Sequence, residues 1–149
     1  AVFALVSEIP YDLAFRNVFL EFTRQNVFFT LFIGLVMMYS VQRTNKWFVK
    51  VSYILIAMWI ANVTGSSYDA RGILLIFVYF FARDNKAAKA VFGALWNFLY
   101  SGIQCFGALA SIPIFLYNGE KGRSMKYVFY VFYPTHLLIL YLISDILIR

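Results

Sequence analysis

The sequence predicts an all-α, polytopic transmembrane helix bundle, and three observations lead there. Hydrophobic residues make up 62% of the 149-residue chain and charged residues only 13%, whereas soluble domains carry roughly 25% charge. The mean hydropathy is +0.74. Polar residues gather in short turns between apolar runs, and the 17 Phe, 11 Tyr and 3 Trp suit lipid-facing and interfacial positions. About six to seven membrane segments are expected, forming one transmembrane domain over residues 1–149.

The net charge of +6 reads as loop charge that orients the chain in the bilayer. No basic, base-stacking surface suggests nucleic acid. Cys105 is the lone cysteine, inside an apolar run, so it suits packing and not a disulfide or thiolate metal site. No spacing of His, Cys or carboxylates suggests a metal. The chain opens at Ala1 within an apolar run, and further N-terminal helices are expected before it.

Taken in order, Ala1 to Ile9 reads as the end of a membrane helix, broken at Pro10 by the missing N–H. The segment to Gln25 is amphiphilic, with Glu8, Asp12, Arg16, Glu21 and Arg24. Asn26 to Val41 is the next helix, with Thr23 or Asn26 as its cap. A basic turn, Arg43 to Lys46, leads to a helix over Trp47 to Val63. Gly65 to Gly72 is a turn, and Ile73 to Ala82 a short apolar helix with room to extend backwards. Arg83 to Lys86 is a polar break. A single helix over 87–117 would be about 45 Å long, too long for one untilted span. Ser101-Gly102 and Pro113 are the expected interruptions, and two short passes of about 15 residues are preferred over one. A last helix runs from near Met125 and carries Pro134 and His136.

Charge sets the orientation. Loop 42–50 holds Arg43, Lys46 and Lys50 without an acid, and loop 83–89 holds Arg83, Lys86 and Lys89 against Asp84. Both are expected in the cytoplasm, with the acid-containing segments 7–25 and 64–71 outside. Two passes through 87–117 bring the basic loop 118–126 to the cytoplasmic side as well.

His136, the only histidine, falls about 11 residues into the last helix, roughly 16 Å along its axis. That depth is near the middle of a bilayer core about 30 Å thick. It suits a general base, or an interhelical hydrogen bond that glues helices together. Glu8, Asp12 and Arg16 recur every four residues on one helix face. Two carboxylates at a membrane boundary can bind or deprotonate an acceptor amine. The plainer reading, favoured on spacing alone, is an Asp12–Arg16 pair on a solvated face. Asn118-Gly-Glu-Lys-Gly122 lacks the spacing of a P-loop. Its Asn118, Gly119, Lys121 and Gly122, with Arg123 and Lys126 beyond, still combine exposed backbone N–H groups and positive charge for a phosphorylated cofactor. The simpler alternative is a positive-inside turn.

Ser7-Glu-Ile-Pro-Tyr-Asp-Leu13, Gln25-Asn-Val-Phe-Phe-Thr-Leu31, Tyr117-Asn-Gly-Glu-Lys-Gly122 and Phe132-Tyr-Pro-Thr-His-Leu137, in this order and spacing, resemble the TraX family of bacterial membrane proteins. The resemblance runs over nearly the whole chain. It implies acetyl transfer from acetyl-CoA to an amine or hydroxyl of an acceptor protein or surface polymer at the bacterial cytoplasmic membrane. Members are associated with N-acetylation of conjugative pilin and are related to polytopic membrane acyltransferases. They carry an Asp-His pair in a first helix, and this chain has no such pair. Thr135 stands where a leucine is usual. The resemblance adds weight to Glu8, Asp12, Asn118, Gly119, Gly122 and His136 without assigning their roles. On this reading His136, Glu8 and Asp12 are the candidate catalytic residues, and residues 117–140 form one wall of an acyl-CoA site.

A different reading is a non-enzymatic membrane subunit or chaperone that scaffolds a partner protein through small-residue faces such as Gly93, Ala94, Gly107, Ala108 and Ala110. A transporter with broken helices at Ser101-Gly102 and Pro134 is a third.

Overall fold

A computed structural model describes residues 2–21, 23–99, 102–120 and 122–148, without the side chains of residues 103, 104 and 148. Ser101, Lys121 and the Gln104 side chain therefore lie outside the described residues. The described chain is all-α: α1 Val2–Val6, α2 Glu8–Arg16, α3 Val27–Gln42, α4 Trp47–Val63, α5 Asp69–Phe81, α6 Lys86–Leu99, a 3-10 segment Gly102–Ala110, α7 Ser111–Leu116 and α8 Lys126–Ile148.

The centre is a three-helix unit. Met37 and Val41 of α3, Ala57 and Ala61 of α4 and Ile73 of α5 form its buried cluster. Small residues let the helices approach closely. A Cβ at Gly34 would come within 2.5 Å of Ile76 Cδ1, so glycine there sets how near α3 and α5 pack. Gly72 meets Thr30, Gly34 meets Ile76, and Phe80 and Arg83 share a hollow with Leu35 and Gln42. Helices α3 and α5 consequently run parallel, and the basic turns 43–46 and 82–85 lie at one end of the unit. At the other end Gln25 N–H bonds the Gly65 carbonyl at 2.9 Å.

Two expectations about helix breaks are corrected. The interruption near the N-terminus falls at Ser7, and Pro10 sits buried in the first turn of α2. Pro113 likewise sits in the first turn of α7. An N–H in the first turn has no intrahelical partner, so proline there removes little. The apolar helix over Ile73 to Ala82 uses the room expected behind it and extends back to Asp69. Pro134 lies inside α8, which continues through it.

The described residues on either side of 100–101 pack against one another. The 3-10 segment and α7 return along α6, and the Lys86 Nζ donates to the Tyr117 carbonyl at 2.7 Å. Gly107 faces Asn97 across this contact, and Gly93 faces Tyr79 of α5. These small residues are used inside the chain.

Among the described residues, Lys126–Leu147 is the one helix long and apolar enough to cross a membrane, with 6% of its span buried. Val27–Gln42, Trp47–Val63 and Cys105–Leu116 are apolar but shorter. At 16 and 17 residues, α3 and α4 are about 24–26 Å long. Large apolar side chains such as Leu35, Trp59, Phe129 and Ile139 face outward. In a soluble domain so large an apolar surface would be a liability.

Candidate functional site at the start of α3

Asn26 organises the site. Its backbone is extended where α3 begins, and its Oδ1 accepts from the Phe28 N–H at 2.9 Å, closing the helix start. The same side chain donates from Nδ2 to the Ala4 carbonyl at 2.7 Å and to Glu8 Oε2 at 2.5 Å. One residue thus caps α3, ties down the α1–α2 junction and holds a carboxylate. The turn after α4 clamps it from the far side: Ser67 Oγ donates to the Gln25 carbonyl at 2.7 Å and lies 3.4 Å from the Tyr11 hydroxyl.

Around Asn26 the interior is polar. Ser7, Asp12 and Asn26 are 0% exposed, Thr30 2% and Glu8 4%. Each carboxylate has one oxygen bonded: Glu8 Oε2 by Asn26, and Asp12 Oδ2 by the Glu21 N–H at 2.6 Å. Their other oxygens, Glu8 Oε1 and Asp12 Oδ1, together with Ser7 Oγ and Thr30 Oγ1, are buried without a hydrogen-bond partner among the described residues. Buried acceptors without donors are rare, because desolvation goes uncompensated.

The expected Asp12–Arg16 pair does not form. The chain doubles back after α2, and Arg16 pairs with Glu21 and bonds the Thr23 hydroxyl. Hydrogen bonds from Thr23 and Arg16 lower the Glu21 pKa. Arg16 makes no ion pair with the buried carboxylates, although its charge still acts on both. At nine residues, α2 is about 14 Å long and too short to span a membrane. Burial raises the Glu8 pKa, the bonds from Asn26 oppose the rise, and the charge of Asp12 adds to it.

Helix α8 closes the site with aromatic rings. Tyr130 stacks on Phe3 at 4.3 Å, and Tyr133 meets Phe28 edge-on at 4.8 Å.

His136 stands one turn further along α8. Its Nδ1 bonds the Phe132 carbonyl at 2.9 Å, its ring stacks on Phe132 at 4.9 Å, and its edge contact with Tyr133 is at 5.5 Å. A carbonyl only accepts, so Nδ1 carries the proton and a neutral ring keeps its lone pair on Nε2. The imidazole lines an apolar groove of about 520 Å³ with Val131, Phe132, Thr135 and Ile139. It lies outside the Glu8–Asn26 network and reaches it only through Tyr133.

The stretch 118–126 is separate again. Asn118, Gly119, Gly122, Arg123 and Lys126 are exposed. Asn118 Oδ1 accepts from the Glu120 N–H at 3.0 Å in a local turn, and nothing lies within 4 Å of a Cβ at Gly119 or Gly122. Lys126 Nζ lies 5.9 Å from the centre of the Tyr130 ring. Tyr117 is fixed near the basic end by Lys86, whereas Tyr130 and Tyr133 pack on Phe28 at the opposite end of α3.

Three of the four sequence motifs, 7–13, 25–31 and 132–137, meet at the start of α3, and 117–122 stays apart. Sequence reasoning singled out Glu8 and Asp12 but not Ser7, Thr30 or Tyr133. Each stands inside a quoted motif, the only signal that marked it. Among the described residues no cluster suited to a metal ion occurs.

A family model described as TraX protein matches residues 1–144. No curated protein and no solved structure matches.

Proposed function

The chain belongs to the TraX family, and from that premise we propose that it is part of an integral membrane acyltransferase that moves an acetyl group from acetyl-CoA to an amine or hydroxyl acceptor. The supporting observation is the buried Glu8–Asp12 pair, each carboxylate with one oxygen fixed by an N–H and one bare. Burial raises the Glu8 pKa above that of a free carboxylate, which makes Glu8 the stronger base and suits it to general-base work.

In the proposed reaction the acceptor enters beside Glu8 and Asp12. Glu8 Oε1 removes its proton as the nitrogen or oxygen attacks the thioester carbonyl carbon. The new C–N or C–O bond forms, the C–S bond breaks, and the CoA thiolate leaves and takes up a proton. Asp12 orients the acceptor through Oδ1, and the proton on Glu8 returns to solvent. Asn118, Gly119, Lys121, Gly122, Arg123 and Lys126 supply backbone donors and positive charge for the CoA phosphates. His136, with Nε2 available, lines the acyl channel. The two basic turns face the cytoplasm, the compartment that supplies the donor.

The test is to incubate the purified full-length protein with labelled acetyl-CoA and an acceptor bearing a free amine or hydroxyl. Label appearing on the acceptor supports the reading. Absence of both transfer and acetyl-CoA binding overturns it.

A further inference from the structure

At the basic end of the three-helix unit, α3 and α5 finish in the same way. Arg43 follows α3, lies 4.7 Å from the centre of the Tyr39 ring one turn back, and bonds the Tyr39 hydroxyl. Arg83 follows α5 and lies 4.8 Å from the centre of the Phe80 ring. A guanidinium stacked on a ring is partly fixed before any ligand arrives. Between the two helices is a hollow of about 530 Å³, lined by Leu35, Met38, Tyr39, Gln42, Phe80 and Arg83. That volume is within the roughly 300–1,000 Å³ of small-molecule sites. Arg83 stands in its wall, and Arg43 adjoins it through Tyr39.

Leu35, Met38, Tyr39 and Gln42 share one face of α3, so this wall passes from apolar to polar over about 10 Å towards the helix end. A phospholipid presents the same order, hydrocarbon first and then a phosphodiester. The turns 43–46 and 83–86 carry Arg43, Lys46, Arg83 and Lys86 against a single acid, Asp84. Asp84 meets Arg83 at Nε, 3.5 Å away, and the two side chains stay 55% and 90% exposed. That leaves the Nη edge of Arg83 for the oxygens of a phosphate. Lys86 is already engaged, its Nζ donating to the Tyr117 carbonyl. We propose that the hollow binds an anionic phospholipid, with its phosphodiester on Arg83 and Gln42 and an acyl chain against Leu35 and Met38. A zwitterionic headgroup would bring its ammonium among like charges. The proposal needs a surrounding bilayer and does not depend on acyl transfer.

The experiment reconstitutes the full-length protein in nanodiscs of phosphatidylcholine and phosphatidylglycerol and weighs it by native mass spectrometry with the lipid it retains. Phosphatidylglycerol should be held about tenfold more strongly than phosphatidylcholine, the scale of one charge-assisted contact. Arg83→Gln, at an exposed position, should remove that preference. Lys50→Gln takes the same charge from the first turn of α4, outside the hollow, and should leave the preference within about twofold of the parent. Excess inorganic phosphate or acetyl-CoA should leave the retained lipid in place. Equal retention of the two lipids by the parent overturns the proposal. An equal loss in both variants also overturns it, because general surface charge then accounts for the binding. Displacement of the lipid by phosphate or acetyl-CoA overturns it too, by making the hollow a site for soluble phosphates.

Discussion

The side chain of Asn26 caps α3 with its oxygen and holds Glu8 with its nitrogen, at 2.9 Å and 2.5 Å. The first turn of α3 and the Glu8 carboxylate therefore share one residue, so loss of Asn26 is felt in stability and in chemistry together. Asn26→Ala removes a cap worth about 1 kcal/mol and leaves the buried Ala4 carbonyl and Glu8 Oε2 short of donors, at about 1–3 kcal/mol. The expected sum is roughly 2–4 kcal/mol, read as a lowered Tm in detergent or nanodiscs. Asn26→Asp retains the cap oxygen but loses the Nδ2 donors and places a negative charge beside Glu8. It is expected to lose activity at neutral pH and regain part of it if the pH rises.

Glu8 gives stability and activity opposite dependences on pH. Its folded-state pKa lies above the ordinary value of 4.5, chiefly through burial. The folded protein thus holds this proton more tightly than the unfolded chain. The stabilisation is fully present below 4.5 and is lost as pH rises through the raised value. Glu8→Gln keeps an oxygen for Asn26 and cannot ionise, so its stability advantage over the parent should grow between those two limits. A parallel Tm-against-pH series for the two proteins checks this. Transfer by the parent should instead fall on acidification, because a protonated Glu8 cannot act as a base.

Gly34 and Ile76 set the spacing of α3 and α5. Gly34→Leu forces a side chain into the space that Ile76 Cδ1 fills, and a destabilisation of about 1–3 kcal/mol is expected. Ile76→Ala in the same chain should return part of that loss, a coupling that a double-mutant cycle of unfolding free energies measures directly.

The cations of 118–126 belong to the donor side of the reading. Lys121→Ala with Arg123→Ala should weaken acetyl-CoA binding by about tenfold, or 1.4 kcal/mol, with little change in Tm because Arg123 is exposed. Isothermal titration of acetyl-CoA into the two proteins compares them. Unchanged affinity reduces the stretch to an orientation signal.

How far the sequence carried depended on how local each determinant is. Trp47–Val63 was legible because polar turns flank a predominantly apolar run, and Asn26 because capping needs only its own residue and the next two. Pro10 misled, since proline interrupts a helix interior and does little in a first turn. The partner of Arg16 misled for another reason. The chain doubles back after Asn17, whose φ is +57°, and brings Glu21 to it. Ser7, Thr30 and Tyr133 carry no spacing signature because they are remote in sequence and meet only when α1–α2, α3 and α8 assemble. His136 was conspicuous as the sole histidine, yet the buried polar network formed around Glu8 instead.

The central claim is that Glu8 and Asp12 perform chemistry and are not merely buried. Turnover of labelled acetyl-CoA onto an acceptor, measured for the full-length parent, Glu8→Gln and Asp12→Asn at matched acetyl-CoA occupancy, tests it most directly. The account expects Glu8→Gln to lose at least about 100-fold in kcat while still binding acetyl-CoA and melting no lower than the parent. Turnover by Glu8→Gln within about twofold of the parent would contradict it.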